Sequence, residues 1–206
     1  MGERCYYCET RLPPTGGIDS RDPDENRRFC HDCVGTPRLG VVACGASKID
    51  TDEPVPAAEL YDSNYFNKKR EYCEERCDAW WIISAEHGVL SPGDEIEPYD
   101  ASLDPSSDVY IGDYEAGRWS VIVSRGLEMR FSFYNPYGTV VLLTGQTYLE
   151  HIDNGVFDRF RAVDRPFEDT AGIGEQMQVL NDRIENYHPP GQSDLTHYGQ
   201  EASTDV

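Results

Sequence analysis

Side chains that can transfer a proton or hold an anion follow the apolar segments of this sequence. Lys48 comes shortly after LGVVAC, His87 follows AWWIIS, and Asp100 lies a little further downstream. An imidazole titrates near neutral pH, a carboxylate can orient it or activate water, and an ammonium group can hold a phosphate or carboxylate. We therefore predict Lys48, His87 and Asp100 as catalytic residues. A histidine in this position can equally serve only to bond a backbone carbonyl.

A second set of residues beside these could contact a ligand. Hydroxyl groups can bond a phosphate or a ribose, and a glutamine amide can bond the edge of a base. A tyrosine ring can stack on a base, and a glycine admits close approach of a ligand to the backbone. We predict as ligand-binding residues Ser47, Ser84, Tyr99, Gly145, Gln146 and Tyr148.

Two other features have simpler interpretations. Cys44 could be a nucleophile, but its apolar neighbours favour an inert core thiol. Gly172 and Gly174 in TAGIGEQ could form an anion-binding nest, but tight packing of a helix on the sheet is the simpler explanation.

The candidate residues need a scaffold that brings several strand ends together. LGVVAC, AWWIIS and GTVVLLTG are typical of buried parallel strands. The pattern predicts helices over 63–78, with Ser63 as N-cap, over 147–160 and over 173–187. Residues 115–133 favour a helix, although WSVIVS within them fits a strand equally well. This alternation predicts an α/β fold, a three-layer sandwich with a mainly parallel sheet, in which ligands bind beyond the carboxyl ends of the strands.

The N-terminal segment has the pattern of a zinc site. Two CxxC pairs, CYYC and CHDC, are separated by 21 residues, and two such turns can complete a tetrahedral shell around one ion. We predict one structural Zn²⁺ bound by Cys5, Cys8, Cys30 and Cys33 in a zinc-ribbon or treble-clef module. His31 could replace one ligand, but four thiolates already close the shell and leave no open position for catalysis. Four reduced thiols are the alternative, disfavoured because this polar segment has no other source of order.

Composition shifts along the chain predict its domains. Residues 1–37 form the zinc module, and residues 38–187 form the α/β domain. Residues 188–206 begin with a proline pair and show no periodicity, so we predict a disordered tail.

The charge of the chain is extreme. The formal net charge is −20, from 38 acidic residues against 18 lysines and arginines, of which only Lys48, Lys68 and Lys69 are lysines. Such a surface is typical of proteins adapted to molar salt, and an ordinary acidic cytosolic protein is the alternative. The charge opposes binding of nucleic acid through phosphate neutralisation, but that contribution is weak in molar salt.

The sequence also predicts a location. It has no apolar run of membrane-spanning length and no apolar stretch at its N-terminus, so we predict a cytoplasmic protein without a membrane partner. Seven cysteines, an odd number, favour metal ligands and reduced thiols over disulfides.

Several segments together resemble a known family. ACGASK, ELYDSNYF, WWIISAEHGVLSP, IEPYDASL, LLTGQTY and AGIGEQ, spread over residues 40–187, look like a bacterial, phage and archaeal domain family of unknown function. The pattern is more distantly similar to YaaA-type peroxide-stress proteins, which are DNA-associated, and more loosely to uracil-DNA-glycosylase-like domains. The chain departs from the first by its zinc module and its lack of a DNA-binding insert. It departs from the second because no aspartate directly follows the first strand, although Asp50 lies nearby.

The resemblance implies a nucleobase or nucleic-acid setting without supplying a reaction. Our first hypothesis is an enzyme of base modification or N-glycosidic chemistry, in which His87 is the general acid or base and Asp100 orients it or activates water. Lys48 and Ser47 would then bind the phosphate or ribose, while Gln146 and Tyr148 face the base. The alternatives are a non-catalytic nucleic-acid-binding or stress-response protein with a structural zinc, and a small-molecule sensor.

Overall fold

The computed structural model describes residues 37–134 and 138–185, together with the short strands β1 (Ile18–Asp19) and β2 (Arg28–Phe29). The chain divides into two units, and these two strands pair antiparallel within the smaller one. The four predicted zinc ligands and the predicted tail, 188–206, lie outside the described residues. They remain predictions.

The larger unit, Gly35–Glu185, contains strands and helices in alternation. In chain order its elements are β3 (Arg38–Ala43), β4 (Val55–Pro56), α1 (Ala57–Leu60), α2 (Asn64–Arg76), β5 (Ala79–Ser84), β6 (Gly88–Leu90), β7 (Glu95–Ile96), α3 (Asp113–Phe131), β8 (Thr139–Leu143), α4 (Gln146–Leu149), a 3₁₀ turn (Asn154–Val156), β9 (Ala162–Asp164) and α5 (Ile173–Glu185).

Five of these strands form one sheet in the order β6-β5-β3-β8-β9. The central strand β3 runs parallel to β5 and to β8, and β9 runs parallel to β8. Only the edge strand β6 is antiparallel, because it returns along β5 in a tight hairpin. β4 and β7 form a separate antiparallel pair. The prediction of an α/β fold with a mainly parallel sheet is confirmed.

Successive residues of the central strand face opposite sides of the sheet, and both sides are buried. Val41 belongs to the hydrophobic cluster that contains Trp119 and Leu127 of α3. Its neighbour Val42 belongs to the cluster that contains Phe66 of α2 and Leu180 of α5. Burial of each such aliphatic side chain contributes about 2 kcal/mol, which explains why these strands are apolar throughout. Helices therefore flank the sheet.

The helix predictions are confirmed in three cases. Ser63 caps α2 as predicted, since its hydroxyl oxygen accepts the N–H of Phe66 at 3.2 Å. Residues 115–133 form most of α3, so the helical interpretation of WSVIVS is correct. In that helix Trp119, Val123 and Leu127 recur at every fourth position and are buried. Helix α5 covers the described part of 173–187.

The helix predicted over 147–160 is wrong. Helix α4 has a single turn, Gln146–Leu149, and a separate 3₁₀ turn follows. The carboxylate of Asp153 accepts the N–H of Gly155 at 2.9 Å, and this local turn competes with a continuous helix.

The packing explanation for the glycines of TAGIGEQ is also wrong. Among the described residues, no atom lies within 4 Å of a Cβ placed at Gly172 or Gly174, and both are exposed. Close packing of helix on sheet therefore does not require glycine there. No helix in the described part of the chain is both long and apolar enough to cross a membrane.

Candidate ligand site at the strand ends

The predicted site residues depend on where three neighbouring parallel strands end. β3 ends at Ala43, β5 at Ser84 and β8 at Leu143. Since these strands are parallel neighbours in the sheet, the segments that follow them emerge at one edge. Cys44 follows β3, a tight turn follows β5, and α4 follows β8.

A chain of hydroxyl groups lies at the end of β5. Ser84 is completely buried, and its oxygen accepts the backbone N–H groups of Glu86 and His87 at 3.2 and 3.0 Å. Its own O–H donates to the Tyr99 hydroxyl at 2.7 Å, which leaves the Tyr99 O–H to donate to Tyr61, 2.8 Å away. Burial raises the pKa of both tyrosines well above the ordinary value, so both stay protonated.

Lys48 and His87 lie against the ring of Tyr99. The Lys48 ammonium is 4.5 Å from the ring centroid, and the His87 imidazole meets the ring at its edge with 4.9 Å between centroids. Lys48 is held there by a backbone bridge to Tyr61. His87 is exposed, and Gly88 after it has a φ of 72°, a left-handed conformation that allows the sharp return into β6. The exposed imidazole of His87 and the ammonium of Lys48 therefore share the Tyr99 ring. We call these three side chains the Tyr99 platform.

A second pair of side chains connects β3 to α4. The sulfur of Cys44 and the hydroxyl of Tyr148 are 3.1 Å apart, and both residues are half-buried. Burial, followed by the neighbouring Cys44 thiol, raises the pKa of Tyr148. Trp119 packs against the Tyr148 ring and donates its indole N–H to the Ser84 carbonyl at 2.7 Å. Cys44 is therefore not the fully enclosed core thiol that its neighbours suggested.

Lys69 lies beneath this edge and was not predicted as a site residue. It is 2% exposed, and its ammonium donates to the carbonyl of Ala43 at 2.7 Å. The Tyr65 ring lies below the ammonium, 4.6 Å away. Burial lowers the pKa of Lys69 to about 8, although the Cys44 and Cys73 thiols oppose that shift. The sequence did carry one signal, since a lysine falls on the apolar stripe of α2.

Sequence reasoning also missed Tyr61 and His151. Tyr61 closes the hydroxyl chain, and its segment ELYDSNYF entered the sequence analysis only through the family resemblance. The Nδ1 of His151 donates to the Thr147 carbonyl at 2.8 Å, and its ring lies 6.4 Å from that of Trp119. Because a continuous helix was predicted over 147–160, His151 was treated as a residue inside that helix and not as one near the strand ends.

The remaining predicted residues are exposed to solvent or have other neighbours. Asp100 is exposed and forms no ion pair with His87, whose ring contacts Tyr99 instead. The exposed Ser47 donates its hydroxyl hydrogen to the Asp62 carboxylate. Gly145 and Gln146 line a separate groove of about 530 Å³ next to the end of β8. Among the described residues, no three histidine, cysteine or acidic side chains form a potential metal site.

Comparison with known proteins assigns the larger unit to a family. Residues 39–182 match the model of DUF6884, a family described as one of unknown function. The chain belongs to this family. It is also similar to the uncharacterized protein YfjM of Bacillus subtilis (strain 168), with 27% identity over 157 residues, which cover 73% of this chain and 97% of that protein. No solved structure matches the chain.

The family match bears on two predictions. The resemblance to a domain family of unknown function is confirmed, and the match runs from β3 into α5. It therefore includes the Tyr99 platform and the Cys44–Tyr148 pair but not the predicted zinc module, residues 1–37. The likeness to YaaA-type and uracil-DNA-glycosylase-like proteins stays a prediction.

Proposed function

We propose that the protein binds a nucleotide-like ligand at the ends of β3 and β5 and acts as an enzyme of base modification or N-glycosidic chemistry. One observation carries this proposal: Lys48 and His87 lie on the same tyrosine ring, with its centroid 4.5 Å from the ammonium and 4.9 Å from the imidazole centroid. An ammonium group suits a phosphate, and an exposed imidazole beside it suits proton transfer to or from the attached base.

The roles of the surrounding groups follow from their contacts. Lys48 binds the phosphate of the ligand. His87 is the general acid or base, and the Tyr99 ring supports it in place of the predicted Asp100. Ser84 is buried, so it is a positioning residue that fixes the turn and the Tyr99 hydroxyl. Asp100, one residue after Tyr99, is exposed to solvent and remains the candidate for activating water.

The second candidate function is a non-catalytic nucleic-acid-binding or stress-response protein. It rests on the hydroxyl groups of Tyr61 and Tyr99. These groups form hydrogen bonds with each other, and that of Tyr99 also bonds Ser84, so neither is available to contact a ligand. In that function the same edge holds a nucleic-acid backbone and no base is released.

We propose further that one structural Zn²⁺ organises residues 1–37 through Cys5, Cys8, Cys30 and Cys33. β2 ends at Phe29, one residue before Cys30, and an antiparallel strand pair next to a CxxC pair is typical of zinc ribbons. The acidic composition supports adaptation to molar salt, and the seven cysteines support a reducing, cytoplasmic location.

Calorimetry and product analysis test the enzymatic function. The probes are the four ribonucleoside monophosphates, the corresponding nucleosides, and a short single-stranded oligonucleotide, all in molar KCl. We expect Lys48→Ala to weaken monophosphate binding about tenfold and nucleoside binding little, because it removes one charge-assisted contact to phosphate. We expect His87→Ala to keep binding and to lose the release or modification of the base, measured by chromatography.

The matched control is Lys68→Ala, which removes a partly exposed lysine of α2 that is paired with Glu71. It should leave both binding and turnover unchanged. Binding of the oligonucleotide without any change in its bases would favour the non-catalytic function. If no nucleoside, nucleotide or oligonucleotide binds saturably, both functions are wrong.

A further inference from the structure

The groove beside β8 is a second potential site on the same edge of the sheet. It has a volume of about 530 Å³, within the range of pockets that hold small molecules. Leu142, Leu149 and Phe167 supply apolar walls, and none of the three side chains of the first site, Lys48, His87 and Tyr99, lines it. The groove is therefore distinct from the first site.

Charges of both signs line this groove without pairing. Arg165 is half-buried, and Glu150 and Glu168 lie in the same lining. Elsewhere in the described chain Arg38, Arg70 and Arg183 are paired with carboxylates. Arg165 makes no such ion pair among the described residues, although two carboxylates share its groove. A ligand that carries one positive and one negative group would satisfy both signs.

The polar groups of the groove are also oriented. The Tyr65 hydroxyl donates to Oε1 of Gln176, so the amide N–H groups of Gln176 remain available to the ligand. Thr170 donates its own hydroxyl hydrogen to the Phe167 carbonyl at 2.8 Å and presents only acceptor capacity. The side-chain donors in the lining that remain available are therefore Arg165 and the amides of Gln146, Asn154 and Gln176.

We propose that this groove binds a free α-amino acid with an apolar side chain. Arg165 holds the carboxylate in a bidentate contact, supported by the amide of Gln176. Glu168 holds the ammonium group, and it lies on the same tight turn as Arg165, since its N–H donates to the Arg165 carbonyl at 3.2 Å. The apolar side chain packs on Phe167 and Leu149.

The charge balance favours this ligand over a phosphate. Two carboxylates against one guanidinium give the lining a net negative charge, which repels a nucleotide or any other polyanion. A zwitterion brings one charge of each sign and avoids that repulsion. Helix α4 connects the groove to the end of β3, because Gln146 and Leu149 line the groove while Tyr148 contacts Cys44.

Calorimetry with four probes tests the inference: L-leucine, L-phenylalanine, N-acetyl-L-phenylalanine and L-phenylalanine amide, in molar KCl. We expect both amino acids to bind saturably. Acetylation removes the positive charge and amidation removes the negative one, so each derivative should bind about tenfold more weakly than L-phenylalanine. Arg165→Gln should abolish the discrimination against the amide, and Glu168→Gln should abolish that against the acetylated form.

Arg161→Gln and Glu128→Gln are matched controls, since both residues are exposed and neither lines the groove. Each should bind L-phenylalanine as the wild-type protein does. Absence of saturable binding of both amino acids, or equal affinity for L-phenylalanine and its two derivatives, overturns the inference. The four probes contain neither a nucleobase nor a phosphate. A failure of nucleotide binding would therefore contradict the proposed function and leave this inference intact.

Discussion

At the scale of single residues, Lys69 is the most unusual group of the larger unit. Its ammonium is buried, and its hydrogen-bond acceptor is a backbone carbonyl rather than a carboxylate. Burial disfavours the charged form, which is why its pKa falls from 10.5 to about 8. Because Lys69 donates to Ala43, the residue before Cys44, the amine fixes the end of the central strand at the candidate site.

The lowered pKa gives a prediction about stability and pH. Between about pH 8 and the unfolded value of 10.5, the folded protein binds fewer protons than the unfolded chain, so the free energy of unfolding rises with pH. The full rise attributable to Lys69 is about 3 kcal/mol. We expect Lys69→Met to remove it, as measured by denaturant unfolding at fixed salt from about pH 7 to about pH 10.

The control for this experiment is Lys68→Met, which changes a lysine that is paired with Glu71 and only partly buried. It should keep the wild-type pH dependence. The raised pKa values of Tyr61 and Tyr99 change the free energy of unfolding only from about pH 10 upward, the ordinary tyrosine pKa. Both tyrosines are present in the wild type and in the two variants, so their contribution cancels when the pH curves are compared. Parallel pH curves for wild type and Lys69→Met would show that the buried amine is not the cause.

At the scale of elements, the sequence was sufficient where one residue pattern dominated. The strands β3, β5 and β8 are uniformly apolar, so the parallel sheet and its functional edge could be predicted. Helix α3 was favoured over the strand that WSVIVS fits equally well, and the structure resolves this choice with buried residues at helical spacing along 19 residues. The strands β4, β6, β7 and β9 have only two or three residues each and depend on tertiary contacts. No local sequence pattern therefore predicted them.

The candidate site was predictable to the same extent. Lys48 and His87 follow strand ends, and parallel topology alone requires them to emerge at one edge. The pairing of His87 with Tyr99 instead of Asp100 could not be predicted, because it depends on the path of an irregular segment between β7 and α3. Gln146 lines the groove, whereas Tyr148 contacts Cys44, and this division within the short α4 could not be predicted from a sequence that favoured one long helix.

The zinc module is the other prediction at this scale. We expect about one Zn²⁺ per chain in freshly purified protein, because four thiolates complete a tetrahedral shell. Cys30→Ser should release the metal, since three remaining thiolates bind it more weakly. Metal analysis by mass spectrometry gives the stoichiometry.

Cys77→Ser serves as the control, because Cys77 is a half-buried thiol beside α2 in the larger unit. This variant should keep its zinc. Metal-free wild-type protein, purified without chelator, would contradict a zinc site.

At the scale of the whole molecule, charge is the dominant property. The 38 acidic residues exceed the 18 lysines and arginines by the net charge of −20. The ion pairs among the described residues are partly exposed, and such pairs contribute at most about 1 kcal/mol each. We therefore expect repulsion among the carboxylates to outweigh the attraction that these ion pairs supply.

Salt should consequently stabilise this protein. The screening length falls from about 30 Å at 0.01 M salt to about 3 Å at 1 M, so molar KCl removes most of the long-range repulsion and only weak ion-pair attraction. We expect the melting temperature to rise steeply over that range.

Salt also strengthens apolar burial, so a variant with fewer charges is needed to separate the two causes. Replacing the exposed Glu53, Glu59, Glu97 and Glu128 by glutamine keeps the core intact, and it should raise the melting temperature at low salt and flatten its salt dependence. An unchanged salt dependence in this variant would assign the effect to apolar burial, and melting temperatures that do not change with salt would exclude adaptation to high salt altogether.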